Sequence, residues 1–546
     1  MNSLAASKCG LRLFAALIGI SSLVLAAGCG SSSGFTKTNS NGYSDTNFSG
    51  TYVISMAGTD VNNNASTYSF FAITGAITAD GKGNIGSGSV DINDPDLGGV
   101  FTNQSVTGTY NISQDGRGSG SLVTPKGTFG IDFVLTSSGH GLITRFDGPN
   151  ASPTAGTGSG TIDLQGSAAQ SSLTSLAFSL SGAPAVAASF GTSLDSFATV
   201  GAFTLDANGN ITSGLEDFND NGSSASSGIT GSALTGSLVL NSSTRGVATL
   251  NSSFGALVFD AWVIDSTHLK LIETDGLGLD LAGDAFSQSS SFTAGQLAFT
   301  LGGIDAAFDP VVVGGIVTTD VNGTLSNGTE DYNNAGLTGT IQGFAGGCGT
   351  PALTGARCQL TSLGLINGLQ GSSSLAFAAY PSSGGVLLLE DDNQGLLQGA
   401  AYAQTATSFA ASDGYGLSLT GSNNNGEVDD IAQFNTGSST ISGKLDENDI
   451  DITPVPNISL SGSYGAPTSG RGSITVNNIN TFNGTLNLEY YVVDPSTVLV
   501  IEGDAGQATV GLFQLQSVSV PGAAAQSHIS LVHPLVARSR AAFQRK

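Results

Sequence analysis

The sequence predicts an all-β chain of four tandem antiparallel up-and-down meanders, each closing into a small β-barrel. Three observations predict it. A set of landmarks recurs four times in one order, and stretches of the chain alternate in hydrophobicity with a period of two. Helical periodicity of useful length is absent between residues 48 and 516. Composition agrees: 78 of 546 residues are Gly and 39% are hydrophobic, so the chain folds but turns often. Only 10% are charged, against about a quarter in ordinary soluble domains.

Each repeat opens on an apolar or aromatic strand running into Gly: Tyr52 to Gly58, Ala177 to Gly182, Ala298 to Gly302 and Tyr415 to Gly421. A turn follows, with Asp80-Gly81, Asp206-Ala207-Asn208-Gly209, Asp320-Val321-Asn322-Gly323 and the degenerate Asn435-Thr436-Gly437. Asp beside Asn and Gly is the chemistry of a tight hairpin turn. Next comes an acidic strand end, at Asp91 to Asn93, Glu216 to Asn219, Glu330 to Asn333 and Asp446 to Asn448. A basic turn lies mid-unit at Arg117, Arg245 and Arg471, with Arg357 at that place in the third unit. An apolar strand then ends in acid at Asp147, Asp275, Asp391 and Asp504, and a last strand ends at Gln165, Gln288, Gln404 and Gln516.

These marks divide the chain into a leader at 1–28, a Gly/Ser-rich tether at 29–47, repeats at 48–165, 171–288, 292–404 and 405–516, and a basic tail at 517–546. A repeat of this length suits a small domain. Turn signals about every dozen residues give roughly eight short strands per repeat. Residues 128–135, Thr-Phe-Gly-Ile-Asp-Phe-Val-Leu, show the alternation of one face in and one face out. An eight-strand meander must hide its edges, and closure into a barrel does so fully. In layout the units resemble lipocalin-like and avidin-like barrels. Gly50-Thr51-Tyr52 echoes the Gly-x-Trp that opens lipocalins, although the second unit lacks the glycine. Two other arrangements fit the strand count: β-sandwich-like units, and an eight-bladed β-propeller. For the propeller speaks the return of Ser49-Gly50-Thr51-Tyr52 as Thr107-Gly108-Thr109-Tyr110; against it, the Asp-Gly turns do not keep that half-period.

The first 29 residues read as an export signal: a positive head at Lys8 and Arg12, an apolar stretch from Leu13 to Leu25, then Ala26, Ala27 and Gly28. The apolar stretch is short for a membrane span, which takes about 20 residues. Cys29 after the small residues resembles the lipobox of bacterial lipoproteins, with Ala26 where the usual large aliphatic stands. The resemblance implies cleavage before Cys29, a diacylglyceryl thioether on its sulfur and acylation of the new amino group, and several acyl chains hold a protein firmly. Ser31 at the second place after the cysteine resembles sorting to the outer membrane, with the protein facing the periplasm or the cell surface. Cys9 leaves with the leader, so Cys348 and Cys358 form a single pair in an exported chain, and a disulfide is expected. The tail carries Arg538, Arg540, Arg545 and Lys546 without an acid and reads as a flexible terminus.

No reaction is legible. His140 and His268 precede the closing strand of the first two units and have no counterpart in the others, so they read as solvated turn residues. Gly30-Ser31-Ser32-Ser33-Gly34 matches a nucleophile-elbow pattern in letters only, because it sits in a tether rather than between strand and helix. The doublets Glu216/Asp217, Glu330/Asp331 and Glu390/Asp391, with Glu273/Asp275, suggest paired carboxylates, yet adjacent strand residues point to opposite faces. Asp206, Asn208, Asn210, Thr212 and Asp217 mimic the oxygen spacing of a calcium loop, with Ile211 where its bending glycine belongs. The net charge of −25 disfavours a nucleic-acid partner. The reading is a lipid-anchored envelope protein without cofactor, acting as a non-catalytic binding, adhesion or spacer module. One alternative is a lipocalin-like lipoprotein holding a small ligand at each barrel mouth, with Trp262 or the strand-end acids at the rim; the other is a carbohydrate-active enzyme. Large Phe and Leu interiors would fill the barrels, whereas Gly, Ala and Ser interiors would leave room.

Overall fold

A computed structural model describes residues 42–518, apart from 190–194, 221–228, 349–356, 364–374, 393, 412, 424–425, 451 and 480–483. The described part is all-β with three single-turn 3₁₀ segments. Four antiparallel units of eight strands follow one another, and the third and fourth are closed barrels. In the first, the strand Ser49–Asn62 pairs with both Thr67–Asp80 and Ala155–Leu164, which closes the ring of strands. Its fourth strand is broken at Val106 into Gly99–Ser105 and Thr107–Ile112, both paired to Asn84–Asp94. The second unit has the same break at Leu234, and there the gap is spanned by a lone bridge between Asn210 and Ser237 and by Leu238 N–H donating to Gly209 O.

The expected alternation decides what lies inside. Along Gly127–Ser137, Phe129, Ile131, Phe133 and Leu135 enter the core of the first barrel. Val134 points the other way and joins a cluster with residues of the other barrels. Each barrel holds its own core of large side chains, such as Tyr52, Phe71 and Phe133 in the first and Phe409, Tyr415 and Phe513 in the fourth. Phe178, Phe203 and Phe259 fill the second, and Phe299, Phe344 and Phe377 the third. The interiors are therefore of the filled kind.

The outer faces do not all meet water. The first three strands of each of the first three barrels lie against the last three of the next. The fourth barrel turns Gly414–Asn423 and Glu427–Thr436 toward Gly127–Ser137, His140–Phe146 and Ala155–Leu164 of the first. The head-to-tail contact thus closes into a ring of four, the outcome expected of a heterologous interface whose rotation closes. The low charge content follows, since much of each barrel's outer surface is buried against a neighbour.

Candidate functional site

The four contacts between barrels are built on one repeated clasp, and it absorbs the residues that recur in the sequence. On the third strand of every unit stands Asp-x-Asn, at Asp91/Asn93, Asp217/Asn219, Asp331/Asn333 and Asp446/Asn448. Alternate strand residues share a face, so both side chains leave the barrel on the side of the next one. The Asp takes the mid-unit arginine of that neighbour. Arg245 Nη2 lies 2.9 Å from Asp91, Arg357 Nη2 2.6 Å from Asp217, Arg471 Nη2 2.5 Å from Asp331, and Arg117 Nη1 2.9 Å from Asp446, which closes the circle.

The Asn amide donates to backbone carbonyls of the same neighbour: Asn93 to Glu273 O, Asn219 to Glu390 O and Gly395 O, Asn333 to Glu502 O, Asp504 O and Gln507 O, and Asn448 to Arg145 O and Gly156 O. The closing glutamines cross the same boundaries. Gln404 Nε2 donates to Val492 O at 2.7 Å, and Gln516 Nε2 to Asp115 O and Leu135 O at 2.8 and 3.0 Å. A glycine in the basic turn makes room: a Cβ on Gly470, whose φ is +93°, would stand 2.1 Å from Gln404 Nε2.

Three clasps carry an aromatic donor beside the arginine. Trp262 Nε1 donates to Asp91 at 2.8 Å, Tyr380 Oη to Asp217 at 2.5 Å, and Tyr491 Oη to Asp331 at 2.7 Å. In the register that pairs Arg245 with Trp262 and Arg471 with Tyr491, Arg117 pairs with Val134. The closing clasp therefore lacks this bond.

Burial moves three carboxyls at these contacts upward. Asp91 is pushed up to about 6 by burial, against its bonds to Asn103 N–H and Arg245. Asp132 reaches about 7, through burial and the neighbouring charge of Asp446, and Glu489 about 7, through burial and Asp331. The doublets divide as strand geometry requires. Asp331 faces the neighbour, while Glu330 shares the side of Tyr332 in the third barrel's core and is pushed up to about 8 by burial. At one end of the barrels, Glu273, Glu390 and Glu502 are buried beside Asp275, Asp392 and Asp504, and burial and these charges raise all three, Glu273 to about 10. The first barrel has Arg145 at that place, fully buried and 2.6 Å from Asp147.

Several expectations are corrected. His140 and His268 are not solvated turn residues. His140 Nδ1 lies 2.7 Å from Asp163, and His268 Nε2 lies 2.7 Å from Asp284, which also takes Lys270 Nζ at 2.7 Å. Burial pushes both aspartates upward, but His140, Lys270 and His268 outweigh it and hold them well below the usual carboxylate range. The group sits at the contact of the first two barrels; His268 is 3% exposed and stacked on Phe286, which shuts it off from a diffusing substrate. Trp262 is not at a barrel rim but 5% exposed between the first two barrels, with Arg245 over its ring.

The calcium-like set is not brought together. Asp206 closes its own turn, accepting from Asn208 N–H and Asn210 N–H, while Asp217 is held by Arg357 and Tyr380. Among the described residues no group of three or more His, Cys, Asp or Glu could hold a metal ion. Cys348 and Cys358 are joined between neighbouring strands, with Cα atoms 5.4 Å apart. Cys29, the Gly30–Gly34 tract and the basic residues of the tail lie outside the described residues.

The clasp had a signal in the sequence: one Asp-x-Asn and one mid-unit arginine per repeat, in equal number, with the Asp and Asn on one strand face. What the sequence does not show is that acid and base meet across neighbouring units.

No family model matches this sequence, and no curated protein matches it. Among solved structures, a mutant of Transferrin Binding Protein B from Haemophilus parasuis Hp5 is similar at 11% identity and a TM-score of 0.20, covering 74% of this chain and 83% of that one. The isotype 1 Transferrin binding protein B from serogroup B Neisseria meningitidis is similar at 10% identity and a TM-score of 0.19, covering 69% and 84%. A likeness at this level carries no argument about this chain.

Proposed function

We propose that this chain is a lipid-anchored envelope protein, held by acyl groups on Cys29, in which the ring of barrels serves as a non-catalytic binding, adhesion or spacer module. One observation carries the reading. The acids and arginines that recur in every repeat are spent on holding the barrels to one another, so the repetition serves assembly of a firm body rather than a repeated reaction. Filled interiors favour a surface that displays or spaces over a barrel that stores a small ligand. Strand geometry separates the carboxyls of each adjacent doublet, which argues against a glycosidase pair.

The anchor is tested by metabolic labelling with a palmitate analogue in cells expressing the full chain. Label and membrane association are expected in the wild type and lost in Cys29→Ser, with the amount of folded protein unchanged. Label retained in Cys29→Ser, or a wild type without label, would overturn the anchor.

A further inference from the structure

Three of the four barrel contacts are spanned by the chain itself. The fourth, between the last barrel and the first, is crossed among the described residues only by Gln516, Ser517 and Val518, which do not run on into a strand of the first barrel, and it is also the one whose surroundings differ. The row of second-strand residues facing the neighbour is set by register. Ala72 pairs with Ala57, Ala198 with Ser181, Val312 with Gly302 and Asp429 with Thr420. One step along, Phe70 and Pro310 stand where the fourth barrel has Glu427. The contact face of the fourth barrel thus carries two carboxyls where the other barrels carry Ala72 and Phe70, Ala198 and Ser196, and Val312 and Pro310.

The opposite face matches. Ala508 and Val510 of the fourth barrel belong to the apolar cluster that joins it to the third. The same strand of the first barrel offers Thr157 and Ser159, and Thr157 Oγ1 donates to Asp429 at 2.8 Å. Glu427 and Asp429 are both buried, and Glu427 Oε1 stands 2.7 Å from where a Cβ on Gly58 would lie. Around them in the fourth barrel are Thr420, Asp430, Asp446, Glu447 and Asp449; across the contact are Thr59, Asp115, Asp132 and Arg117. Arg145 turns its guanidinium into the first barrel, to Asp60 and Asp147. Among the described residues Arg117 is the cation placed in this contact.

We propose that the ring opens at the contact between the fourth and first barrels when the buried carboxyls there ionise, and closes when they are protonated. Buried carboxyls facing one arginine repel one another once charged, and among the described residues only the short stretch from Gln516 to Val518 continues from the fourth barrel onto the first. Burial and Asp429 raise Glu427 well above its ordinary value, and burial raises Asp429 to about 6. A group raised in the folded state stabilises it below the unfolded value, and that contribution is lost as pH rises through the folded value. The closed ring is therefore the low-pH form, and opening sets in above about pH 6.

The test is a pair of spin labels at Ser119→Cys and Ser461→Cys, both exposed, on the strands carrying Arg117 and Asn457. The full chain carries Cys9→Ser and Cys29→Ser so that only introduced thiols react. A second pair, Gln342→Cys and Ser473→Cys, flanks the contact of the third and fourth barrels. Between about pH 5 and about pH 9 the first distance is expected to lengthen reversibly while the second stays fixed. Adding Glu427→Gln and Asp429→Asn is expected to move the midpoint upward by about one pH unit or more. A first distance that stays constant, two distances that lengthen together, or a midpoint unmoved by the double substitution would each overturn the proposal.

Discussion

The contact between the third and fourth barrels and the one between the fourth and first use the same clasp in different surroundings. In the former, Asp331 takes two nitrogens of Arg471, the Tyr491 hydroxyl and the Thr340 hydroxyl, amid Val312, Val493 and Ile501. In the latter, Asp446 takes Arg117 and the Asn457 N–H, with Val134 in the place of the tyrosine and Asp429 in that of Val312. The difference teaches that the clasp sets which faces meet, whereas the apolar surround supplies most of the holding energy. A buried ion pair by itself is weak evidence of stability, because desolvation offsets much of its attraction.

That comparison can be broken first at the aspartates. Asp331→Ala would leave the buried Tyr491 hydroxyl without its acceptor and Arg471 with only Glu489 at 3.4 Å, and a loss of about 3–5 kcal/mol is expected from denaturant unfolding. Asp446→Ala should cost less, about 1–3 kcal/mol, because Arg117 keeps Asp115 at 3.1 Å and no buried hydroxyl is orphaned. Equal losses would remove the distinction between the two contacts. Asn333→Ala, which forfeits donation to three carbonyls, is expected to cost about 1–3 kcal/mol by the same measurement.

The closing contact can also be remade in the image of the other. Tyr491 lies where a Cβ on Gly314 would stand 2.3 Å from its ring, and Ile431 takes part in the closing contact. Val134→Tyr should therefore destabilise alone and be rescued by Ile431→Gly. The pair together should gain about 1 kcal/mol from the new bond to Asp446, read from a double-mutant cycle. An effect that depends on pH is expected at the barrel end. Glu273→Gln imitates the protonated acid without the cost of keeping a carboxyl protonated above its ordinary range, so its stability should gain on that of the wild type as pH rises from about 4.5 to about 10. The wild type loses stability between the ordinary carboxyl range and about pH 10, where its buried Glu273 ionises, and the variant should lack that component of the loss in melts across this window.

Much of the fold was legible. The alternation along Thr128 to Leu135 assigned Phe129, Ile131 and Phe133 to one face, and they fill the barrel. The turn at Asp206 to Asn210 was legible because its hydrogen bonds are local. His140 and Trp262 were misplaced for the opposite reason. Each looks like a surface residue along its own strand, and only a neighbouring barrel buries it. Low charge content carried the same information in diffuse form: a barrel whose outer face met water all round would show more Lys and Glu.

Sequence by itself determined the strand period, the hairpin turns and the four repeats, since each depends on residues near in the chain or on one side-chain alternation. The ring was decided only in the tertiary structure. Asp446 and Arg117 meet through the summed twist and offset of three preceding contacts, a quantity that no single repeat contains. The physical reason is that a clasp fixes the pairing of two faces, while closure depends on the angle at which every pair is set.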